Sequence, residues 1–312
     1  MLRPFNKCPG CGHNSTGAEC LFTTIVLGDT RPVLKCSKCG LVYKDAAFTP
    51  EGLNRIYSTD YVHFQPNAAM TWADVNSFKQ KLDSCQKLLG GVLPEQVRLI
   101  DVGCGGGNFV EIARRLGYDA EGIDPFLPEG NQSPYLRRGS PGDLDPYSYD
   151  VVVLLNVAEH LIEPRDMFTE IRRILKPGGV FLLTCPFGDS IARRIHKERW
   201  THLALEEHLL FWTPGALRHV LRDVGFLGRH SFRIAGSPFP YGRLSMVPDP
   251  VKDEYDNEGL NDTSSIRNFT WQRYAWQIAR SIQGREAPAN LVRRLIHLTR
   301  SGDYLEFAIR AS

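Results

Sequence analysis

Leu99-Ile100-Asp101-Val102-Gly103-Cys104-Gly105-Gly106-Gly107-Asn108-Phe109 is the stretch whose reading decides the fold. It opens inside an apolar run of strand length, Val97 to Val102, and breaks into glycine. It then re-emerges with Phe109, Val110, Ile112, Ala113 and Leu116 at helical spacing. Strand, glycine turn and helix form the first half of a βαβ unit. Glycines at 103, 105 and 107 permit positive φ and let a ligand approach bare backbone. The helix offers unpaired N–H groups at its start. Asp101 ends the strand, and Asp124 ends the next apolar segment, Ala120 to Asp124, about where an acid meets a ribose in nucleotide-binding folds. A dinucleotide fingerprint has the form Gly-x-Gly-x-x-Gly, whereas this loop reads Gly-x-Gly-x-Gly after an acid.

Downstream the α/β alternation continues. A short third strand is predicted near Tyr135 to Arg138, followed by Gly139-Ser-Pro-Gly-Asp143. The fourth, Tyr149 to Asn156, is almost wholly apolar, as a strand buried on both faces must be. It carries Asn156, Glu159 and His160 to its carboxyl end, where open α/β sheets bind ligands. Glu163-Pro164 starts a helix that Lys176-Pro-Gly-Gly179 stops. Val180 to Cys185 is the fifth strand, Pro214 to Val224 a helix capped by Thr213, Phe226 to Ala235 the sixth strand, and Gly302 to Arg310 the last. Between these last two, residues 236–268 are rich in Pro, Gly, Asp and Asn and read as a long loop. Trp271, Tyr274, Ala275, Ile278 and Ile282, then Leu291, Leu295 and Leu298, follow helical spacing. A helical insertion over about 236–301 is therefore expected, as a lid, a dimer surface or plain core packing.

Upstream, Cys8-Pro-Gly-Cys11-Gly and Cys36-Ser-Lys-Cys39-Gly are two knuckles supplying four thiolates, a closed tetrahedral set for structural zinc. The β-like runs between them make residues 1–46 a zinc ribbon, with no position left open on the metal for catalysis. Residues 47–95 read as a helical connector. Thr49-Pro50-Glu51 starts a short helix, and a longer one over about Ala73 to Leu89 places Val75, Phe78, Leu82, Cys85, Leu88 and Leu89 on one face. Residues 96–312 form the α/β domain.

The chain has 312 residues, 42% hydrophobic and 23% charged, with a net charge of +2. Nothing in that balance calls for nucleic acid or a membrane surface, and no apolar run approaches the roughly 20 residues of a transmembrane helix. The start, Met-Leu-Arg-Pro-Phe-Asn-Lys-Cys, lacks the apolar core of a signal peptide. Eight cysteines, four of them in the two knuckles, suit a reducing cytoplasm with one metal site better than a disulfide framework.

The four segments Asp-Val-Gly-Cys-Gly-Gly-Gly-Asn-Phe, Gly-Ile-Asp-Pro, Tyr149 to His160 and Ile174-Leu-Lys-Pro-Gly-Gly179, in that order, resemble the class I S-adenosylmethionine (SAM) methyltransferases. The ribbon, with Cys-Gly-Leu-Val-Tyr and Ile-Tyr-x-x-Asp-Tyr after it, resembles bacterial methyltransferases of sugars, surface polysaccharides and secondary metabolites. The resemblance implies a doubly wound, Rossmann-like, seven-stranded sheet whose sixth and seventh strands are antiparallel. It implies SAM held by Asp101, Gly103, Gly105, Gly107, Asp124 and Asn156. Asp143 is either an acceptor for the adenine amino group or a turn aspartate. Tyr57 and Tyr61 either close over SAM or pack as connector aromatics. Residues 186–212 face the acceptor and carry His196, His202 and His208 with Glu206-Glu207. In sugar methyltransferases of similar pattern a Glu-His pair here includes the base. His208, of pKa suited to neutral pH, is therefore the first candidate, with Glu207 either on its other nitrogen or, as a sequence neighbour, pointing away. Its alternative role is to hydrogen-bond the loop. His160 is the second candidate base or a wall of the SAM pocket. The acceptor expected is a small molecule, a sugar or natural-product intermediate. The alternatives are an RNA methyltransferase docking RNA through the ribbon, and a catalytically inactive scaffold.

Overall fold

A computed structural model describes residues 1–57, 72–128, 130–131, 133–235 and 302–311. Tyr61 and the insertion expected at 236–301 lie outside the described residues. In chain order the N-terminal part holds β1 (Leu2–Arg3), β2 (Glu19–Val26), β3 (Asp29–Lys35), β4 (Val42–Lys44), β5 (Ala47–Phe48), α1 (Pro50–Ile56) and α2 (Trp72–Leu89). Then come β6 (Arg98–Val102), α3 (Asn108–Arg115), β7 (Asp119–Asp124), β8 (Leu136–Arg138), β9 (Tyr149–Leu155), α4 (Pro164–Ile174) and β10 (Leu175–Pro186). The chain continues with α5 (Ile191–His196), α6 (Thr201–Ala204), β11 (Leu210–Phe211), α7 (Pro214–Asp223), β12 (His230–Ala235) and β13 (Tyr304–Arg310).

The main sheet has seven strands in the order β8-β7-β6-β9-β10-β13-β12. The first five run parallel, while β13 is antiparallel to both β10 and β12. This is the doubly wound sheet expected, with the antiparallel pair at its edge. Strand periodicity sorts its apolar side chains by face. Leu99, Val151, Val153, Val180 and Leu182 pack with Leu82 and Cys85 of α2 and Phe109 and Val110 of α3. Their alternates Ile100, Val152, Leu154, Phe181 and Leu183 pack with Phe168 of α4 and Leu217 of α7. β10 begins earlier than its apolar run predicts. Lys176-Pro-Gly-Gly is absorbed as an irregularity between Leu175 and Val180, both of which pair with β9.

The ribbon is the second finding of topology. Its sheet has the order β11-β4-β3-β2, so one of its four strands comes from residues 210–211. Leu210 pairs with Tyr43 and Phe211 with Val42. Cys8, Val26, Leu41 and Tyr43 share one apolar cluster with Trp212, Leu217 and Val220. Position 46 is thus no break in packing. The segment that closes the ribbon sheet is stitched to the main domain as well. Gly188 donates its N–H to the Trp212 carbonyl at 2.8 Å, and Trp212 Nε1 donates to the Ala158 carbonyl at 2.9 Å. Among the described residues no helix is long and apolar enough to cross a membrane.

The seam leaves no room at residue 188. A Cβ there would lie 2.1 Å from the Phe211 carbonyl oxygen, and backbone cannot swing aside as a side chain can. Gly188→Ala is expected to destabilise by roughly 1–3 kcal/mol or more, with a fall in Tm of about 2–4 °C for each kcal/mol. Differential scanning calorimetry checks this; an unchanged Tm would mean that the seam yields freely.

Candidate active site

The glycine turn joins β6 to α3 at the carboxyl edge of the sheet. Its φ values are +74° at Gly103, +50° at Gly105 and +82° at Gly107, a region that disfavours side chains. The turn is also closely packed. A Cβ at Gly103 would meet Val157 Cγ2 at 2.5 Å, and one at Gly107 would meet Leu136 Cδ1 at 2.5 Å. The Gly103 N–H donates to the Ile123 carbonyl at 2.8 Å, which ties the turn to β7.

Two carboxyls lie under this turn. Asp124 is buried and accepts from the Gly105 N–H at 3.1 Å and from the Phe126 N–H at 2.8 Å. Burial raises its pKa, and these two N–H donors partly offset the rise. Asp101 is only 3% exposed, and its Oδ1 has no hydrogen-bond partner among the described residues. Burial, then the charge of Asp124, pushes its pKa well above the usual carboxylate range. An orphaned acceptor beneath a bare backbone turn is a place for a donor to arrive. Asn156, exposed where β9 ends, adopts φ +55°, a conformation Asn tolerates better than most residues. Its Oδ1 accepts from the Thr184 hydroxyl at 3.2 Å.

Asp143 is exposed. Its Oδ2 accepts from the Ser140 N–H at 2.7 Å and the Ser140 hydroxyl at 3.2 Å, and these bonds hold its pKa below the usual value. Of the two roles weighed for it, this geometry supplies the turn.

Beside the exit of β9 the structure assembles a group of rings. Tyr57, at the end of α1, stacks on Phe126 with centroids 4.6 Å apart. Its hydroxyl lies 3.0 Å from His160 Nδ1. The His160 and His208 rings meet edge to face at 4.9 Å, and His202 lies nearly parallel to His208 at 6.0 Å. His202 Nε2 is 3.3 Å from Asp303 Oδ2. Tyr57 therefore spans from Phe126, two residues beyond the acid that ends β7, to the His160 imidazole past the end of β9.

The structure bears on both readings of Glu207 and His208. His208 is buried, and burial first, then His160, His202 and Lys44, drive its pKa down to about 2. Burial thus favours the neutral form of the imidazole. Of the two readings of Glu207, the structure favours the one in which it points away from the ring: His208 Nδ1 has no hydrogen-bond partner among the described residues, and the ring's bond to backbone goes to His202. Glu207 acts electrostatically instead, raising the pKa of Lys44 and that of Glu159. Lys44, fully buried in β4, donates from Nζ to the Leu205 carbonyl at 2.7 Å. Burial brings its pKa down to about 8.

Glu159 was legible only as part of a motif. It is fully buried beside His160 and His208, and burial raises its pKa to about 8. The signal was an acid leaving an otherwise apolar strand. Lys44 and Asp303 had no such signal, since each reads as the polar end of a strand.

In the ribbon, Cys8 Sγ lies 3.7 Å from Cys39 Sγ, and Cys11 Sγ 3.6 Å from Cys36 Sγ. All four sulfurs fall within 4.8 Å of one another. Tetrahedral zinc with bonds of about 2.3 Å spaces its sulfurs about 3.8 Å apart, so the donor set fits the ion.

A family model described as a methyltransferase domain matches residues 63–230. A ubiquinone biosynthesis O-methyltransferase of Cereibacter sphaeroides is 26% identical over 236 residues, covering 64% of this chain and 90% of that protein. Its counterpart in another strain is 30% identical over 182 residues, covering 52% and 69%. Among solved structures, the Burkholderia thailandensis 1,6-didemethyltoxoflavin-N1-methyltransferase with bound S-adenosylhomocysteine covers 90% of this chain and 96% of its own. The identity there is 12% and the TM-score 0.48.

The orphaned carboxyl at residue 101 carries a pH signature. Its folded pKa lies above the unfolded value of 3.8. The unfolded chain therefore releases the proton first, and folding loses stability as pH rises from about 4 toward the folded pKa. Asp101→Asn removes that loss. In ligand-free protein its Tm advantage over wild type should widen from pH 5 to pH 8, and a pH-independent difference would show that the carboxyl is not desolvated.

Proposed function

This chain belongs to the methyltransferase-domain family, and we propose that it uses SAM to methylate a hydroxyl of a small-molecule acceptor, a sugar or natural-product intermediate. The observation that carries the cofactor is the pairing of the glycine turn with two buried acids. Bound SAM supplies a methyl group made electrophilic by the sulfonium. The residues fit it. Asp101 Oδ1, buried and without a hydrogen-bond partner among the described residues, suits an ammonium group. Asp124, held by two N–H donors, keeps acceptor capacity for ribose hydroxyls. Gly103, Gly105 and Gly107 leave the backbone bare, Asn156 stands at the mouth, and an adenine contact by Asp143 would be secondary to its turn.

The acceptor is received where Tyr57, Glu159, His160 and His208 converge. An oxygen acceptor is supported by relatives named as O-methyltransferases. Much of the work of such a site is positioning, since an attacking oxygen held in line with the methyl removes most of the entropic barrier. The role proposed for His208 is to position the acceptor, since it is buried and its ring stands edge to face on His160 at 4.9 Å. The ribbon and the residues that follow α6 roof the cluster. Cys8, Cys11, Cys36 and Cys39 are proposed to hold structural zinc, which fixes that roof and has no open position.

Two measurements test this reading. By calorimetry, SAM binds wild type, and Asp124→Ala weakens it about 10-fold or more, the loss of one charge-assisted bond of roughly 1.5–3 kcal/mol. Unchanged affinity would put the ribose elsewhere. By metal analysis, Cys8→Ser lowers the zinc content by about one atom per chain, and an unaltered content would remove the ribbon metal.

A further inference from the structure

A cavity of about 310 Å³ opens between β2 and β3 of the ribbon and α5. Arg193 of α5 lines it, with its side chain only 7% exposed. Its Nε is buried without a hydrogen-bond partner among the described residues. Its Nη2 stands 3.7 Å from Asp189 Oδ1, too far for a hydrogen bond, and that oxygen accepts instead from Arg194 Nη2 at 2.8 Å. Buried polar atoms are nearly always satisfied, and a guanidinium has five donors and no means of shedding its charge at neutral pH. Burial lowers the pKa of Arg193, and the charge of Asp189 offsets this only in part. A buried cation so poorly paired points to an acceptor that completes it.

The rest of the lining fits an oxyanion. Lys35 at the end of β3, Arg194 of α5 and Lys197 just beyond it join Arg193 around the cavity. Against these four cations stand two carboxylates, Glu19 and Asp189, so the lining carries a formal charge of +2. A water would offer an acceptor but no compensating charge. A phosphate offers both, and the planar fork of an arginine matches two of its oxygens at once. The size of the cavity adds to this. At about 310 Å³ it falls within the roughly 300–1,000 Å³ of small-molecule sites, more than a lone tetrahedral ion fills. Leu21 and Phe22 of β2 supply an apolar wall. Both pack on the cluster of Ala192, Trp200 and Phe211, which fixes this face of the ribbon against α5.

We propose that this cavity binds the phosphate group of a small phosphorylated molecule, with Arg193 as the fork that grips it and Lys35, Arg194 and Lys197 as the surrounding positive charge. The site shares no residue with the glycine turn, with Asp101 and Asp124 or with the group of histidines, so it is a second ligand site beside the methyl-transfer edge. Asp189 is the internal competitor of the phosphate. It bonds Arg194 and lies near Arg193, and an arriving dianion takes over both cations. Leu21 and Phe22 cover the organic part of the ligand. Because the cations come from β3 and from α5 and the residue after it, a bound phosphate ties the ribbon to the segment that packs on it.

The test is calorimetry on the full chain in a buffer of low ionic strength free of phosphate and sulfate, with glycerol 3-phosphate and inorganic phosphate as probes. Wild type should bind glycerol 3-phosphate in a one-to-one ratio and more tightly than inorganic phosphate, which leaves the apolar wall uncovered. Arg193→Gln should weaken the ester about 10-fold or more, through loss of a charge-assisted fork. Asp189→Asn removes the competitor and should tighten binding about twofold or more, a gain that damaged packing could not produce. Circular dichroism verifies folding. If Arg193→Gln fails to fold, Lys35→Gln decides in its place, with an expected loss of about threefold or more. No binding to wild type, or equal affinity in wild type and the folded variant, overturns the proposal. Inorganic phosphate that binds as tightly as the ester overturns the organic ligand. A single-stranded RNA that displaces the ester at lower concentration, and that Arg193→Gln no longer binds, overturns the small-molecule assignment in favour of a nucleic-acid phosphate.

Discussion

The clamp on the Glu159 carbonyl is the interaction on which the rest of the molecule depends. One oxygen accepts from two successive N–H groups, Leu209 and Leu210. It fastens the start of β11 to the exit of β9. From there the same short segment reaches in every direction. The Leu209 carbonyl accepts from Lys44 N–H at 2.9 Å, Leu210 and Phe211 extend the ribbon sheet, and Trp212 bonds back to Ala158. Two sheets and the imidazole of His208 are aligned by a handful of backbone bonds in a water-poor interior, where an unmade bond is expensive.

The polar chemistry sits where that clamp allows it. The carboxyl ends of β6, β7 and β9 bring Asp101, Asp124 and Asn156 to one edge, as the parallel topology requires. Tyr57 arrives from α1 and links this edge to the imidazoles by a stacked ring and a hydroxyl. Burial then sets the electrostatics. Asp101 and Glu159 are pushed toward the neutral acid and His208 toward the neutral base. All three lose charge for the same reason, the low polarity of their surroundings.

The backbone of this arrangement was legible because its signals are local. A glycine turn after an apolar run, an acid ending the next strand and an apolar strand between helices each constrain residues adjacent in sequence. They predicted the alternation of strands and helices, with strand ends displaced by a few residues, while the seven-stranded sheet was what the resemblance to SAM methyltransferases implied. The spacing of the four cysteines anticipated their convergence in the same way. What escaped was set by partners far apart in the chain. Nothing near Leu210 announces that it will pair with Tyr43. Nothing in Glu207-His208 reveals that burial takes the basicity from the histidine, or that Glu207 acts on Lys44 and Glu159 and leaves the ring alone. Lys44 reads as a solvated strand end, yet its ammonium is fully buried and bonded to the Leu205 carbonyl. Such features depend on depth below the surface, which a single sequence does not encode residue by residue.

The shared ribbon sheet bears on how such a chain diversifies. A module that folds by itself can be exchanged between proteins by cutting the gene at its boundary. This ribbon cannot travel in that way, because the strand completing it lies more than half the chain away and follows directly on the segment that bears His208. A recombination joint placed after β4 would strand both halves, one with an open sheet edge and one with an unpaired segment. The ribbon and the residues that follow α6 are therefore expected to be inherited as a unit, with each new substrate preference arising by substitution within the roof and not by replacement of it.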